Sequence, residues 1–270
     1  MRIHVSHQTT YDYALPAKSL IQTLRLTPRN HDGQFVVHWR IDVDLDSRLK
    51  PGEDAFGNVT HLLSVGGPLT RLVVTVDGEV QTHDTAGIVR GTVERFPPPL
   101  FLRDTPLTTA DDAVRALADD VAGASGPEAL SRLHGLMAKV GDTLAIAADG
   151  PQEAAQALAE GRADSAGHAH LFVAAARHLG IPARTISGYL WQEVPGAGSG
   201  VHFWSEAHVE GLGWVAFDTA NRTCPSTAHV RVAMGLDCAG AAPVRGSHHG
   251  GGDERQASAV RVMAQSQSQN

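Results

Sequence analysis

Residues 161–191 read GRADSAGHAHLFVAAARHLGIPARTISGYLW, and the change of period inside this stretch decides the fold. His168, Leu171, Phe172, Ala175, Ala176 and Leu179 recur at helical spacing. Gly180 lies just past the last of them and Pro182 soon after, the residues that stop a helix. Residues 184–191 then read as a strand. The helix begins at or near Ser165.

Working back towards the N-terminus, residues 152–160 are alanine-rich and predict a helix. Leu130, Leu133, Met137 and Val140 form one amphipathic stripe, and Val114, Leu117 and Val121 another. Thr109 and Asp112 read as a capping box before the latter. Pro97, Pro98 and Pro99 argue against helix in the connector 91–108, which Thr105-Pro106 closes.

The first 90 residues have the period of strands. Ile41, Val43 and Leu45 alternate with Asp42, Asp44 and Asp46. Residues 59–65 and 72–76 are β-branched or leucine-rich, Asp77-Gly78 predicts a hairpin turn, and 54–58 (DAFGN) predicts another turn. Short antiparallel strands of this kind suggest a sandwich-like sheet.

Towards the C-terminus, 203–209 and 214–218 read as strands, with a Gly/Pro-rich loop at 194–200. Residues 239–257 look irregular, and 258–263 form a last short strand. The order is strands, helices, strands, hence α+β. The expected parts are a β-rich domain (1–90), a linker (91–108), a main domain (109–225), a segment packing back on the body (226–263) and a frayed tail (264–270).

Composition narrows the function classes. The chain has 270 residues, 42% hydrophobic and 19% charged, which excludes a disordered chain. A net charge of −7 with no Lys/Arg run points away from nucleic acid. No apolar run is long enough for a membrane span. No apolar signal segment is visible at the N-terminus, so the expected location is cytoplasmic. Cys224 and Cys238 are too few for a disulfide scaffold or a cysteine-rich zinc site.

Three pieces of the second half carry possible chemistry. These are Ser165 at the start of a helix, His202 in VHFW (201–204), and Asp218 at the end of GWVAFD (213–218). A nucleophile at a helix N-terminus gains from the macrodipole. A histidine can take its proton, and a carboxylate can orient the histidine. His202 and Asp218 share a face only if residue 204 lies opposite 218, or in a register of the same parity. A slip of one residue would part them.

These blocks resemble the bacterial transglutaminase-like family of the papain-like thiol enzymes. GIPAR (180–184) with SGY (187–189) matches the segment after its nucleophile helix. VHFW matches its His block, and GWVAFD with Asn221 its Asp block. APVRG (242–246) with Gly251-Gly252 is similar to its C-terminal segment. RLTPR (25–29), Gly33-Gln34 and FGN (56–58) are similar to its β-rich N-terminal region. The resemblance implies a papain-like transglutaminase fold, with helices packed on an antiparallel sheet. It also implies a peptide- or amide-containing substrate and a catalytic triad of residues 165, 202 and 218, with no cofactor.

At the nucleophile the family has cysteine in a Gly-x-Cys-x-Asp-like stretch, where this chain has Ala163, Ser165 and Gly167. Neither Cys224 nor Cys238 replaces the thiol, since both follow the Asp block. The serine is open to three readings: a natural loss of thiol chemistry, a working serine nucleophile, or an engineered change. The parallel departures at 163 and 167 favour the first. A reading from another class is a non-catalytic binding or assembly module whose function the β-rich domain carries.

Other signals have simpler readings. Ser165 alone would be an N-cap. His202 alone would be a core histidine, and Asp218 a turn cap. His170 and Arg184 read as packing or salt-bridging residues. Asp42, Asp44, Asp46 and Glu53 mimic a calcium loop, but Ser47 stands where glycine is required. His168 and His170 point to different helix faces, and His248-His249 lack partners, so no metal site is expected.

Overall fold

The computed structural model describes residues 1–193 and 200–265. The expected loop at 194–200, apart from Gly200, and the tail from 266 lie outside the described residues. No helix among those described is long and apolar enough to cross a membrane. The architecture is α+β.

One sheet is built on two very long strands, β1 (Arg2–Thr27) and β4 (Val59–Thr82), paired antiparallel along almost their whole length. Strands β2 (Gln34–Val43) and β3 (Lys50–Glu53) pair with β4, and β12 (Val244–Gly250) and β13 (Glu254–Gln265) pair with β1. The β1–β4 register shifts between Asp12 and Ala17 and again by Ser19. Residues on both sides of that break share one core, Tyr11, Leu72 and Val74 with Leu20, Leu24 and Leu63.

Three sequence expectations are corrected here. Asp77-Gly78 is no hairpin. It lies inside β4, paired to Ser6 and Val5 on one side and to Arg40 and Trp39 on the other. The glycine answers a packing need, because a Cβ at 78 would stand 2.3 Å from Trp39 Cε3. Residues 239–257 are only in part irregular: 239–243 and 251–253 are, but the Gly- and His-rich run between them forms β12, and β13 begins at Glu254. Gly246 lets β12 lie against β1, as a Cβ there would meet Ile21 O at 2.3 Å. The last strand runs from Glu254 to Gln265, so Ala264 and Gln265 are paired rather than frayed.

A short 3-10 helix (Pro98–Leu102) leads towards the helices. The proline run was expected to forbid helix, but its prolines occupy the first turn, where their missing N–H is not needed. Helices α1 (Asp112–Ser125), α2 (Ala129–Thr143) and α3 (Ala154–Glu160) surround α4 (Ser165–His178). The cap of α1 is Asp111, which accepts from Val114 N–H, not the Thr109–Asp112 box.

From Ala166 to Arg177, α4 is buried on every face. Its alanines let other elements approach closely, and its polar side chains are satisfied. His170 Nδ1 bonds Gln152 O and its Nε2 accepts from Cys238 N–H. Arg177 donates to Phe101 O, Ala183 O, Leu236 O and Thr108 Oγ1. Two-residue strands β6 (Ala145–Ile146) and β7 (Arg162–Ala163) pair in parallel just before α4.

The second sheet packs on α4. It is formed by β5 (Ile88–Val89), β8 (Ala183–Leu190), β9 (His202–Val209), β10 (Gly213–Phe217) and β11 (His229–Gly235), in the order β11-β8-β9-β10-β5. Strand β11 is its edge, and side-chain amides from the N-terminal region pair with that edge as a strand would. Gln34 bonds Arg231 O and N at 2.9 and 2.8 Å. Asn58 bonds Met234 O and N, both at 2.8 Å. Each amide supplies one donor and one acceptor, the complement of a free backbone unit.

Candidate active site

Ser165 is the first residue of α4. It does not cap the helix. Asp164 does, with its Oδ1 accepting from Gly167 N–H at 2.8 Å. A second hydrogen bond, from Gln152 Nε2 to Asp164 Oδ2 (3.0 Å), holds the cap in place. The side chain at 165 is therefore free for another role. Among the described residues, Ser165 N–H has no backbone partner, as expected for the first turn of a helix.

The strand register brings the other two residues together. Phe217 pairs with Ser205 and Ala216 with Glu206, so the count continues to 218 opposite 204, the parity the site requires. His202 Nε2 lies 2.7 Å from Asp218 Oδ2. Asn221 adds its side-chain amide to Asp218 Oδ2 at 2.8 Å and its backbone N–H to Oδ1 at 3.2 Å. The residue turn after β10 is closed by Asp218 and Thr223, whose backbones bond each other in both directions.

Asp218 is fully buried. Burial opposes its ionisation, yet the His202 charge and the hydrogen bonds from His202 and His229 outweigh that. Together with a smaller contribution from the His229 ring, they hold the carboxyl well below the usual carboxylate range. An ionised Asp218 only accepts, so His202 carries its proton on Nε2 when neutral and presents Nδ1 as a base. Trp204 stacks on His202, with ring centroids 6.1 Å apart at 27°. That packing depends on Gly188, where a Cβ would lie 2.7 Å from Trp204 Cη2.

Ser165, His202 and Asn221 line one cleft of about 260 Å³. Its other walls include Ile146, Leu190, Val201 and Phe203. The chain thus gathers residues 165, 202 and 218 in one place. The Ser165 hydroxyl, however, accepts a hydrogen bond from Phe203 N–H at 3.2 Å. Among the described residues it has none to the His202 ring.

His229, which the sequence did not single out, completes the surroundings of Asp218. Its Nε2 lies 3.0 Å from Asp218 Oδ2. His202, Asp218 and His229 are close enough together for a metal ion. The far side of His229 argues against that use. Its Nδ1 faces Ser226 N–H at 3.3 Å, and a backbone amide can only donate. The ring proton then sits on Nε2, the atom a metal would need free.

Arg184, in contrast, is structural. Its guanidinium is buried between Glu206 and Glu94, and it lies 3.8 Å over the Trp214 ring. Arg231 bonds the other oxygen of Glu206 at 2.7 Å. This network ties β8, β9 and β11 together behind the site.

Residues 3–81 match the model of the bacterial transglutaminase-like N-terminal region, and residues 115–219 that of the transglutaminase-like superfamily. An uncharacterized protein of Mycobacterium leprae is 26% identical over 269 residues, covering 93% of this chain and 94% of its own. The crystal structure of a "putative cysteine protease" from Cytophaga hutchinsonii aligns with a TM-score of 0.80 at 18% identity. That alignment covers 100% of this chain and 92% of the other, a likeness of fold.

Proposed function

We propose that this chain, which carries a bacterial transglutaminase-like N-terminal region and a transglutaminase-like superfamily core, binds a peptide or amide group in its cleft with impaired acyl-transfer chemistry. In this reading Ser165 occupies the position of the thiol nucleophile. The observation that carries it is the divided bonding at the site. His202 and Asp218 are joined at 2.7 Å, while the Ser165 hydroxyl is bonded to Phe203 N–H instead of the imidazole.

The chemistry follows from acidity. A thiol ionises near pH ~8.5 and gives its proton to a neighbouring imidazole readily, forming a nucleophilic ion pair. A hydroxyl does not ionise in this way. It must lose its proton during attack, and for that it needs a hydrogen bond to the base. In a thiol enzyme of this geometry, His202 Nδ1 would take the nucleophile's proton. Asp218 would stabilise the imidazolium, and Ser165 N–H at the start of α4 would face the developing oxyanion. Here each of these groups is present except the thiol.

Amide and activated-ester substrates test this with four proteins: the chain itself, S165A, S165C and S165C/H202A. The chain itself is expected to turn over no faster than S165A, and S165C is expected to gain turnover that H202A removes. Hydrolysis by the unaltered chain that S165A abolishes would overturn the impaired reading.

That last result would favour a second reading, a slow serine acyl-transfer enzyme, which the complete His202–Asp218–Asn221 arrangement supports. It predicts an adduct on Ser165 after treatment with an alkyl phosphonofluoridate, read by mass spectrometry.

A further inference from the structure

Asp218 has one more partner than a His–Asp pair requires. The oxygen that holds His202 Nε2 at 2.7 Å also holds His229 Nε2 at 3.0 Å. His229 comes from β11, the strand next to β8, and its ring is nearly closed off from solvent. Trp204 packs edge-on against it, with ring centroids 5.4 Å apart at 77°. Ser226 N–H on its far side leaves Nδ1 only the role of acceptor.

We infer that His229 is a positioning residue of this site. As a neutral Nε2–H donor it aims the Asp218 carboxylate and shares it with His202, so that His202 Nδ1 stays a free base. The inference rests on the reading of His202 as the base of the cleft. A carboxylate divided between two donors stabilises an imidazolium less than an undivided one. Removing His229 therefore makes His202 hold its proton to higher pH.

The groups facing His202 set the background for that shift. Asp218 and Asn221 come from the end of β10 and the turn after it, Ser165 from α4, and Asp164 from across the cleft. His229 faces Asp218 and Trp204 on one side. On the other it shares a cavity of about 40 Å³ with His31, His83, Glu206 and Arg231. Glu206 is already neutralised by Arg184 and Arg231.

Long-range proton–nitrogen NMR spectra of the 15N-labelled chain, followed from pH 5 to 9, test this without any need for turnover. The unaltered chain is expected to show His229 as the Nε2–H tautomer with a bare Nδ1. In H229F the His202 midpoint is expected to rise, by up to about one pH unit, because the Asp218 carboxylate then serves one donor fewer. H229Q keeps an amide donor towards Asp218 and is expected to bring the midpoint back. The inference is overturned by a His229 proton on Nδ1, by an imidazolium at residue 229 at neutral pH, or by an unmoved His202 midpoint in H229F. If H229F does not fold, the tautomer of His229 in the unaltered chain decides. Because none of these spectra depends on acyl transfer, serine turnover would sink the impaired reading and leave this one standing.

Discussion

At the scale of single residues, the positions around Ser165 are fixed by close packing. A Cβ at Gly167 would stand 2.7 Å from the Ala163 Cβ and 2.3 Å from Pro151 O. A Cβ at Gly150 would meet Ala163 Cα at 2.6 Å. Both the Ala163 side chain and the Pro151 carbonyl thus leave no room for a side chain at 167, one turn beyond Ala163 and close to Ser165. Helix propensity alone would make G167A favourable by about 1 kcal/mol. The contact with a backbone carbonyl outweighs that, and we expect G167A to lose about 1–3 kcal/mol, read as a lower urea midpoint. Ser165, His202 and Asp218 were singled out because their blocks, taken together, resemble the bacterial transglutaminase-like family; alone, each has a structural reading. His229 was not. It lies in a strand with no motif around it, and only the pairing of β11 with β8 brings it to Asp218.

Among the elements, strand ends were legible where glycine and proline punctuate and misread where glycine serves packing. The turn at residues 54–58 is real. Asp54 accepts from Phe56 and Asn58 N–H, and Gly57 has φ +86°. Gly78 gave the same signal for a different reason, the Trp39 indole lying over it. The pairing of Leu24 with Val244, the shortest in sequence between β1 and β12 or β13, still joins residues far apart in the chain, a distance no local pattern reports. The amides that cover the β11 edge are a further device of this scale. N58A would leave Met234 N–H and C=O, both buried, without partners. The expected cost is about 2–4 kcal/mol, seen as a lower midpoint of denaturant unfolding with an unchanged slope.

For the whole molecule, the two sheets are joined by buried polar groups, and these set its response to acid. His7 from β1 bonds the Tyr189 hydroxyl of β8 at 2.9 Å and Ser258 Oγ of β13 at 3.0 Å. Burial pushes its pKa from 6.5 down to about 4. The unfolded chain therefore takes up more protons than the folded one between those values. Stability is full above pH 6.5 and falls as the pH drops towards 4, by about 3 kcal/mol for this residue. H7Q, which cannot titrate, is expected to flatten that decline in urea melts at pH 7, 6 and 5. Glu206 acts lower on the scale. Burial opposes its charge, but Arg231 and Arg184 win and bring it to about 2. Its share is present above pH 4.5 and is lost as the pH falls towards 2.

The central claim is that residue 165 stands at a nucleophile position served by a working histidine, and the reactivity of a thiol placed there tests it most directly. The measurement is the rate of alkylation of S165C by iodoacetamide between pH 4 and 10, with S165C/H202A alongside. Cys224 and Cys238 are corrected for with the unaltered chain. The account predicts a thiol that reacts as its anion well below the ordinary value of about 8.5, and a return to that value when His202 is removed. An S165C thiol that titrates near 8.5 with or without His202 would contradict it.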